Sequence, residues 1–213
     1  ALAVRNMEIY AAMVDRLDQN VGRVIDSLRA SGQLDNTVVV FLADNGAEAL
    51  DVETTGAQML ASSLKDADNS FANRGTASSY LTYGAGWAQA ATAPSWLTKG
   101  YQSEGGTRAV AFISGAGIAA RQGAETQYLS VIDIAPTLLD LAGADASATR
   151  IGARQVRPIT GRSWTAWLRN AKARVYGPDD GVGAELFGSR AYRRGDWKLT
   201  DIGDGIWRLF DIV

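Results

Sequence analysis

The residues best suited to bind a cation in this sequence are Asp44 and Asn45, which closely follow an apolar run. That run, residues 38–42, is short and rich in β-branched side chains, which predicts a central strand over residues 37–43 that is buried on both faces. Gly46 can take a positive φ, so the two polar side chains would sit on a tight turn just past the strand. Carboxylate and amide oxygens are ligands that calcium prefers. The pattern therefore predicts metal ligands at Asp44 and Asn45, at a sheet edge where α/β proteins bind ligands.

The same three residues have a second interpretation that involves no chemistry. Asp-Asn-Gly is among the strongest turn signals, and a turn needs no ligand to explain it. The turn and the metal site therefore both stand as interpretations of this segment when it is taken alone.

The composition removes several classes of function. The 213-residue chain contains no Cys and no His, which excludes disulfides, Cys/His zinc sites, cysteine nucleophiles and Ser-His-Asp triads within it. Any metal must then be bound by oxygen atoms. A formal net charge of −2, with Lys and Arg spread along the chain, gives no basic patch for nucleic acid or an anionic membrane surface. No apolar stretch reaches the roughly 20 residues that a membrane span requires.

The periodicity of the apolar residues predicts the elements that hold these side chains. Residues recurring at intervals of three and four over 9–28 predict a core-facing helix that Gly32 terminates. Residues 109–113 predict another buried strand, and residues 130–143 a helix with Asp133 as its cap. Glycine turns between residues 186–193, 196–200 and 206–212 predict an antiparallel meander. A loss of apolar pattern after residue 145 divides the chain into domains 1–150 and 151–213.

Residues 49–93 lack a clear period and contain isolated aromatic residues among small and polar ones. This composition predicts a long excursion with short helical pieces that crosses the mouth of the site. The aromatic side chains have two interpretations, as the lining of a pocket for an aromatic ester or as buried anchors of the loop. They are Phe71, Tyr80, Tyr83 and Trp87, together with Trp96, which follows shortly after the stretch.

Several stretches together resemble the sulfatase family, in particular the C-terminal portion of bacterial arylsulfatases. The resemblance covers nearly all of the chain and is carried by residues 10–18, 22–26, 34–48, 98–108, 130–143 and 190–198. It implies an α/β fold that is part of an alkaline-phosphatase-like sheet sandwiched by helices, with a small C-terminal antiparallel-sheet subdomain. It also implies a calcium ion held by three aspartates and one asparagine. Two of these four ligands have a counterpart in this chain, at Asp44 and Asn45. The matching lysine of the family contacts the sulfate group, which assigns substrate binding and a catalytic contribution to Lys99.

Other parts of the family's site have no counterpart here. The family's nucleophile is a formylglycine made from Cys or Ser in a Cys/Ser-x-Pro-x-Arg motif, and that motif does not occur in this chain. The histidines of the family's site are missing too. With the first residue being Ala1 and not Met, the chain is expected to be a fragment that is inactive alone. Its expected partners are a small sulfate ester and the N-terminal portion of the same enzyme, in the bacterial cytoplasm or periplasm.

Three functions remain open at this point. The first is an arylsulfatase that hydrolyses sulfate esters to an alcohol or phenol plus sulfate once the formylglycine is supplied from the N-terminal portion. The second is a phosphonate or phosphate ester hydrolase of the same fold, because the Asp-Asn turn is shared more widely than the segment around Lys99. The third is a noncatalytic structural fragment.

Overall fold

A computed structural model describes residues 1–53, 60–121, 123–145, 147 and 150–212, and it begins with helix α1, Leu2–Ala30. The helix ends as predicted, because Gly32 takes a φ of +70° and the Gln33 N–H donates to the Leu28 carbonyl. Its predicted burial is wrong within the described structure. None of the 29 residues of α1 is buried, and Met13 and Val24 are more than half exposed.

A short 3-10 turn, Leu34–Asn36, leads from α1 into strand β1, Val38–Leu42. The predicted strand is confirmed to within one residue at each end. It pairs antiparallel with β2, Ala111–Gly115, which begins two residues later than the predicted strand 109–113. The prediction of burial on both faces is wrong, since Val38 to Phe41 are half-buried and Leu42 is exposed. The prediction of a central strand is also wrong within the described residues, because they place a single neighbouring strand, β2, beside β1.

The segment between β1 and β2 carries three short helices, α2 (Ala61–Leu64), α3 (Ala85–Thr92) and α4 (Glu104–Thr107). The expected excursion with short helical pieces is confirmed in the described residues; residues 54–59 lie outside them. Arg74 anchors the excursion, because its buried guanidinium bonds Glu53 at 2.6 and 2.9 Å and Asn6 of α1 at 2.9 Å.

Two of the five aromatic residues in this region act as anchors. Trp87 donates from Nε1 to the Ala3 carbonyl at 2.9 Å, and Tyr83 packs edge-on against Tyr10 with ring centroids 4.7 Å apart. Trp96 lies 5.6 Å from the ring of Phe210. These contacts favour the loop-anchor interpretation over pocket lining for Tyr83 and Trp87, which are half-buried, whereas Trp96 is 36% exposed and is not a buried anchor.

The main buried cluster lies where helices α5 (Ile134–Leu141) and α6 (Thr165–Arg169) meet. Trp164, Trp167 and Leu168 are buried there against half-buried apolar side chains from residues 113–141 and 173–175. Leu139 and Leu141 of α5 are half-buried, whereas Leu138 is 45% exposed. The cluster thus joins segments from both predicted domains, and their boundary at residue 150 stays a prediction.

Asp133 has a larger role than the helix cap that the sequence predicts. It precedes α5, but its carboxylate closes a capping box with Ser130 around the 3-10 turn Val131–Asp133. The fully buried carboxylate also accepts hydrogen bonds from the Arg162 N–H at 2.8 Å, Trp164 Nε1 at 3.2 Å and the Tyr176 hydroxyl at 2.8 Å. Since a buried charge requires partners, Asp133 joins α5 to the segment around α6.

The C-terminal region contains a four-stranded antiparallel sheet, preceded by a two-residue hairpin of β3 (Arg150–Ile151) and β4 (Arg154–Gln155). The sheet has the sequential order β5-β6-β7-β8: β5 is Gly181–Leu186, β6 is Ser189–Arg194, β7 is Trp197–Asp201 and β8 is Trp207–Asp211. This confirms the predicted meander and adds β5, which the sequence analysis missed. Gly183 and Gly181 obscure the apolar pattern of that strand.

The described residues therefore form a mixed α/β structure with an antiparallel sheet at the C-terminal end. They include no helix with the length and hydrophobicity that crossing a bilayer would need.

Candidate functional site

The turn that carries Asp44 and Asn45 lies immediately beyond the C-terminal end of β1, as predicted. Strand pairing continues past β1 through a hydrogen bond from the Ala43 N–H to the Val110 carbonyl at 2.9 Å. Asn45 donates from Nδ2 to the Gly46 carbonyl at 2.9 Å, which turns its amide oxygen away from that contact. Asp44 is exposed and Asn45 is half-buried. Both oxygen-bearing side chains are therefore held at the surface end of the strand.

The turn rests on the backbone of α4. The Gly46 N–H donates to the Gly106 carbonyl at 2.9 Å. A Cβ atom at Gly46 would lie 1.8 Å from the Gly105 oxygen, so no larger residue fits here without moving the backbone. Gly105 is itself enclosed, since a Cβ there would lie 1.8 Å from the Leu97 oxygen. Direct backbone contact thus sets the position of the turn, and this explains the glycines on both sides of the contact.

Lys99 reaches the same turn through its backbone and through its side chain. Its N–H donates to the Ala47 carbonyl at 3.0 Å, and its Nζ lies 3.0 Å from Glu48 Oε2. The side chains are open to solvent, with 47% of Lys99 and 40% of Glu48 exposed. Burial opposes a fall in the pKa of Glu48, but hydrogen bonds from the Leu50 N–H and from Lys99 hold that pKa below its usual value. The site therefore contains an exposed cation beside an ionised carboxylate.

A second Lys–Glu pair lies at the other end of the loop that carries Lys99. Lys198 of β7 donates from Nζ to Glu104 Oε1 at 2.8 Å and to Thr107 Oγ1 at 3.0 Å. Here 8% of the Lys198 side chain and 17% of the Glu104 side chain are exposed. Burial lowers the pKa of Lys198, and the Glu104 carboxylate opposes that shift. This pair fastens α4 to the C-terminal sheet.

Asp44 and Asn45 have the oxygen atoms to act as two ligands of a hard cation, but two ligands do not make a complete site. Calcium takes six to eight oxygen ligands. Within the part of the chain that the structure describes, no three acidic residues are grouped so that they could hold a metal ion. Asp44 and Asn45 have suitable chemistry and exposure, and further ligands would have to join them.

The structure brings Asp44, Asn45 and Lys99 into one neighbourhood, and their roles stay predictions. The sequence analysis did not identify Glu48 as the partner of Lys99 or Lys198 as the partner of Glu104. Glu48 follows Asp44 by four residues and could have been found as a charge opposite Lys99. Lys198 has no local signal, because it is 94 residues from Glu104 and sits in an ordinary strand.

Comparisons with known proteins give a consistent result. A family model described as Sulfatase matches residues 3–144. An uncharacterized sulfatase of Schizosaccharomyces pombe is 41% identical over 99% of this chain, and the match spans 38% of that protein. The arylsulfatase of Klebsiella aerogenes is 34% identical over 75% of this chain, and the match spans 34% of the enzyme. The chain thus spans well under half of the lengths of these curated relatives.

Two solved structures share the fold. The crystal structure of Ps i-CgsB in complex with k-i-k-neocarrahexaose matches 95% of this chain and 36% of that chain, with a TM-score of 0.62 and 22% identity. The structure of BT4656 in complex with its substrate, D-glucosamine-2-N,6-O-disulfate, matches 95% of this chain and 33% of that chain, with a TM-score of 0.51 and 19% identity. With the family match, these likenesses confirm the predicted α/β fold, part of an alkaline-phosphatase-like sheet with a C-terminal antiparallel subdomain.

Proposed function

Because the chain belongs to the sulfatase family, we propose that the complete protein hydrolyses sulfate esters and that this chain supplies one side of its active site. The observation that carries the proposal is the docking of the Lys99 loop onto the Asp44 turn. Two backbone hydrogen bonds make this contact, Gly46 N–H to the Gly106 carbonyl at 2.9 Å and Lys99 N–H to the Ala47 carbonyl at 3.0 Å. An exposed cation and two oxygen ligands are thereby held on neighbouring backbone segments.

Lys99 binds and orients the sulfate group in this proposal. An ammonium group has three donors, so an interaction with Glu48 leaves capacity for a sulfate oxygen. The Lys99–Glu48 pair is solvent-exposed, and exposed pairs contribute only about 0–1 kcal/mol, so redirecting Lys99 toward a substrate costs little. A positive charge beside the sulfate group stabilises the negative charge that develops during ester cleavage.

Asp44 and Asn45 would provide two ligands to calcium, with the remaining ligands contributed from outside the described residues. When bound, the cation would neutralise charge on the sulfate oxygens. The exposed position of Asp44 supports this role, because a cation can reach its carboxylate without any change in the surrounding structure. The nucleophile in the proposal is a formylglycine supplied outside this chain, since the chain carries no Cys/Ser-x-Pro-x-Arg motif.

The substrate class that we propose is an aryl sulfate, in keeping with the arylsulfatase relative. The test compares the complete protein on an aryl sulfate and on the matching aryl phosphate, before and after chelation and calcium addition. Turnover of the sulfate that is lost on chelation and restored by calcium supports the proposal. Preferential turnover of the phosphate would contradict the sulfatase assignment, and turnover that ignores chelation would contradict the calcium role.

A separate assay concerns the 213-residue chain by itself. It contains no histidine, cysteine or formylglycine motif to protonate a leaving group or attack sulfur. We expect no turnover of the aryl sulfate by this chain alone. Robust turnover would contradict the assignment of the nucleophile to another segment.

A further inference from the structure

Lys198 occupies an unusual position for a lysine, since it is nearly buried on a strand of the C-terminal sheet while its Nζ contacts α4. The Glu104 carboxylate lies 2.8 Å from Nζ and the Thr107 hydroxyl lies 3.0 Å from it. Glu104 and Thr107 are the first and last residues of α4, so one ammonium group holds both ends of this single-turn helix. A buried charge is costly unless it is paired, and both of these contacts satisfy it.

The helix that Lys198 holds is the support of the Asp44 turn. Gly105 and Gly106 lie between Glu104 and Thr107 and are both buried. The Gly106 carbonyl accepts the Gly46 N–H, and the Gly105 N–H donates to the Trp96 carbonyl at 3.1 Å. Because Gly46 touches the Gly105 backbone with no room for a side chain, a shift of α4 must move the turn as well.

A second contact joins the same sheet to the same loop. The Gln102 N–H donates to the Ser189 hydroxyl of β6 at 2.9 Å, and Ser189 is buried. Ser189 lies on the same face of the sheet as Lys198, because Arg193 is opposite Lys198 and side chains alternate along β6. Arg190 lies on the other face, where it pairs with Asp201 at 2.5 Å. The face that carries Lys198 and Ser189 therefore supports the loop. The Arg190–Asp201 ion pair lies on the opposite face and forms no hydrogen bond with the loop in the described structure.

We propose that Lys198 is a positioning residue for the candidate active site, acting through Glu104 and Thr107 to fix the glycine backbone on which the Asp44 turn rests. Lys198 does not touch the substrate or the cation in this proposal. The identity of the bound groups rests on the proposed function, whereas the mechanical link from β7 to the turn rests on the contacts alone.

The test measures hydrogen–deuterium exchange of backbone segments in the complete protein. Lys198→Met removes the ammonium group, and Arg190→Met is the matched control, since it breaks another Arg/Lys–carboxylate pair of the same sheet. For Lys198→Met we expect about 10-fold faster exchange in the segments containing Gly46 and Lys99, because charge-assisted hydrogen bonds are lost beneath them. The segment with Gly203 and Gly205, whose N–H groups donate to Asp201 Oδ1, should not change.

Arg190→Met should give the reverse pattern. Exchange should be faster at Gly203 and Gly205, and the exchange rate at Gly46 and Lys99 should be unchanged. The comparison uses amides that exchange by local opening, because a loss of global stability accelerates only those that require complete unfolding. Equal acceleration of the locally exchanging amides in all segments of the Lys198 variant would show a merely structural role and overturn the proposal, as would no acceleration. If Lys198→Met does not fold, Glu104→Gln decides the same question. It keeps an acceptor for Nζ but removes the charge, so a smaller acceleration confined to the same two segments is expected, and its absence would overturn the proposal.

Calcium titration separates this inference from the proposed function. We expect calcium affinity to fall about 10-fold in Lys198→Met, as for other residues that orient metal ligands indirectly, and to be unchanged in Arg190→Met. Failure of the parent protein to bind calcium would contradict the proposed function and leave the exchange result to decide the inference. Calcium binding by the parent that is unaltered in Lys198→Met would contradict the inference alone.

Discussion

Two Lys–Glu pairs lie at opposite ends of the loop over residues 96–107, and they differ mainly in burial. The Lys99–Glu48 distance is 3.0 Å and the Lys198–Glu104 distance is 2.8 Å. The side chains of the first pair are 47% and 40% exposed, and those of the second are 8% and 17% exposed. Exposed pairs contribute at most about 1 kcal/mol, whereas removing one partner of a buried pair costs about 3–5 kcal/mol. The exposed Lys99–Glu48 pair is therefore accessible to a ligand, whereas the buried Lys198–Glu104 pair stabilises the fold.

The largest effect that we predict concerns the open end of the loop. Asp44→Ala in the complete protein should reduce kcat/KM by about 1000-fold or more, because the proposed site would lose a charged ligand of its cation beside the developing sulfate charge. Asp35→Ala, an exposed aspartate before β1, is the control and should leave kcat/KM unchanged. Calorimetric titration with calcium measures the cause directly. Equal calcium affinity in Asp44→Ala and the parent would refute the metal-ligand role.

The second prediction tests whether burial separates the two lysines. Lys99→Met should lower kcat/KM by about 100-fold, since the proposed site would lose one electrostatic contact to the substrate. Its free energy of unfolding should change by no more than about 0.5 kcal/mol, as for surface substitutions generally. Lys198→Met should instead lose about 3 kcal/mol of stability, because Glu104, only 17% exposed, loses its partner at 2.8 Å and keeps Arg108 at 4.0 Å.

Urea unfolding and steady-state kinetics of the two methionine variants check this contrast. Lys172→Met, at an exposed lysine before β5, serves as the control and should alter neither quantity. If Lys99→Met lost as much stability as Lys198→Met, the proposed difference between the exposed pair and the buried pair would be wrong.

The third prediction concerns the glycine contact between the two ends. Gly105→Ala should destabilise the protein by about 1–3 kcal/mol, because the added methyl group overlaps the Leu97 oxygen and the backbone must move. Gly183→Ala in β5 is the matched control, since nothing lies within 4 Å of its added Cβ. Thermal unfolding compares the two alanine variants. Equal melting temperatures would show that the loop can shift without cost and that the glycines are not required by packing.

The smallest expected effect is the pH dependence of the open pair. The pKa of Glu48 is lowered in the folded protein from a usual value of 4.5, so the unfolded chain binds more protons between the two values. Its contribution to stability is therefore present above pH 4.5 and is lost as the pH falls through the folded pKa. Urea unfolding of Glu48→Gln between pH 6 and pH 3 should show a shallower loss than the parent. An identical profile would remove Glu48 from the groups that stabilise the loop.

Much of the fold follows from local patterns in the sequence. The apolar run of residues 38–42 specifies β1, and Gly32 ends α1 with a φ of +70°, since both features depend on neighbouring residues only. Glycine turns at short intervals specify β6, β7 and β8 for the same reason. Strand β5 was missed because Gly181 and Gly183 weaken its pattern, and antiparallel pairing with β6 supplies what the pattern lacks.

The sequence by itself determined the side chains available in this chain: oxygen-bearing groups at Asp44 and Asn45, a cation at Lys99, and no histidine or cysteine among the 213 residues. Only the tertiary structure decided how these groups are supported, because Lys198 and Glu104 are 94 residues apart and no periodicity links them. It also decided which lysine is open and which is buried, since burial depends on the packing of β7 against α4. Residue type fixes a side chain's charge, whereas surrounding solvent and packing determine whether that charge binds a ligand or holds the fold together.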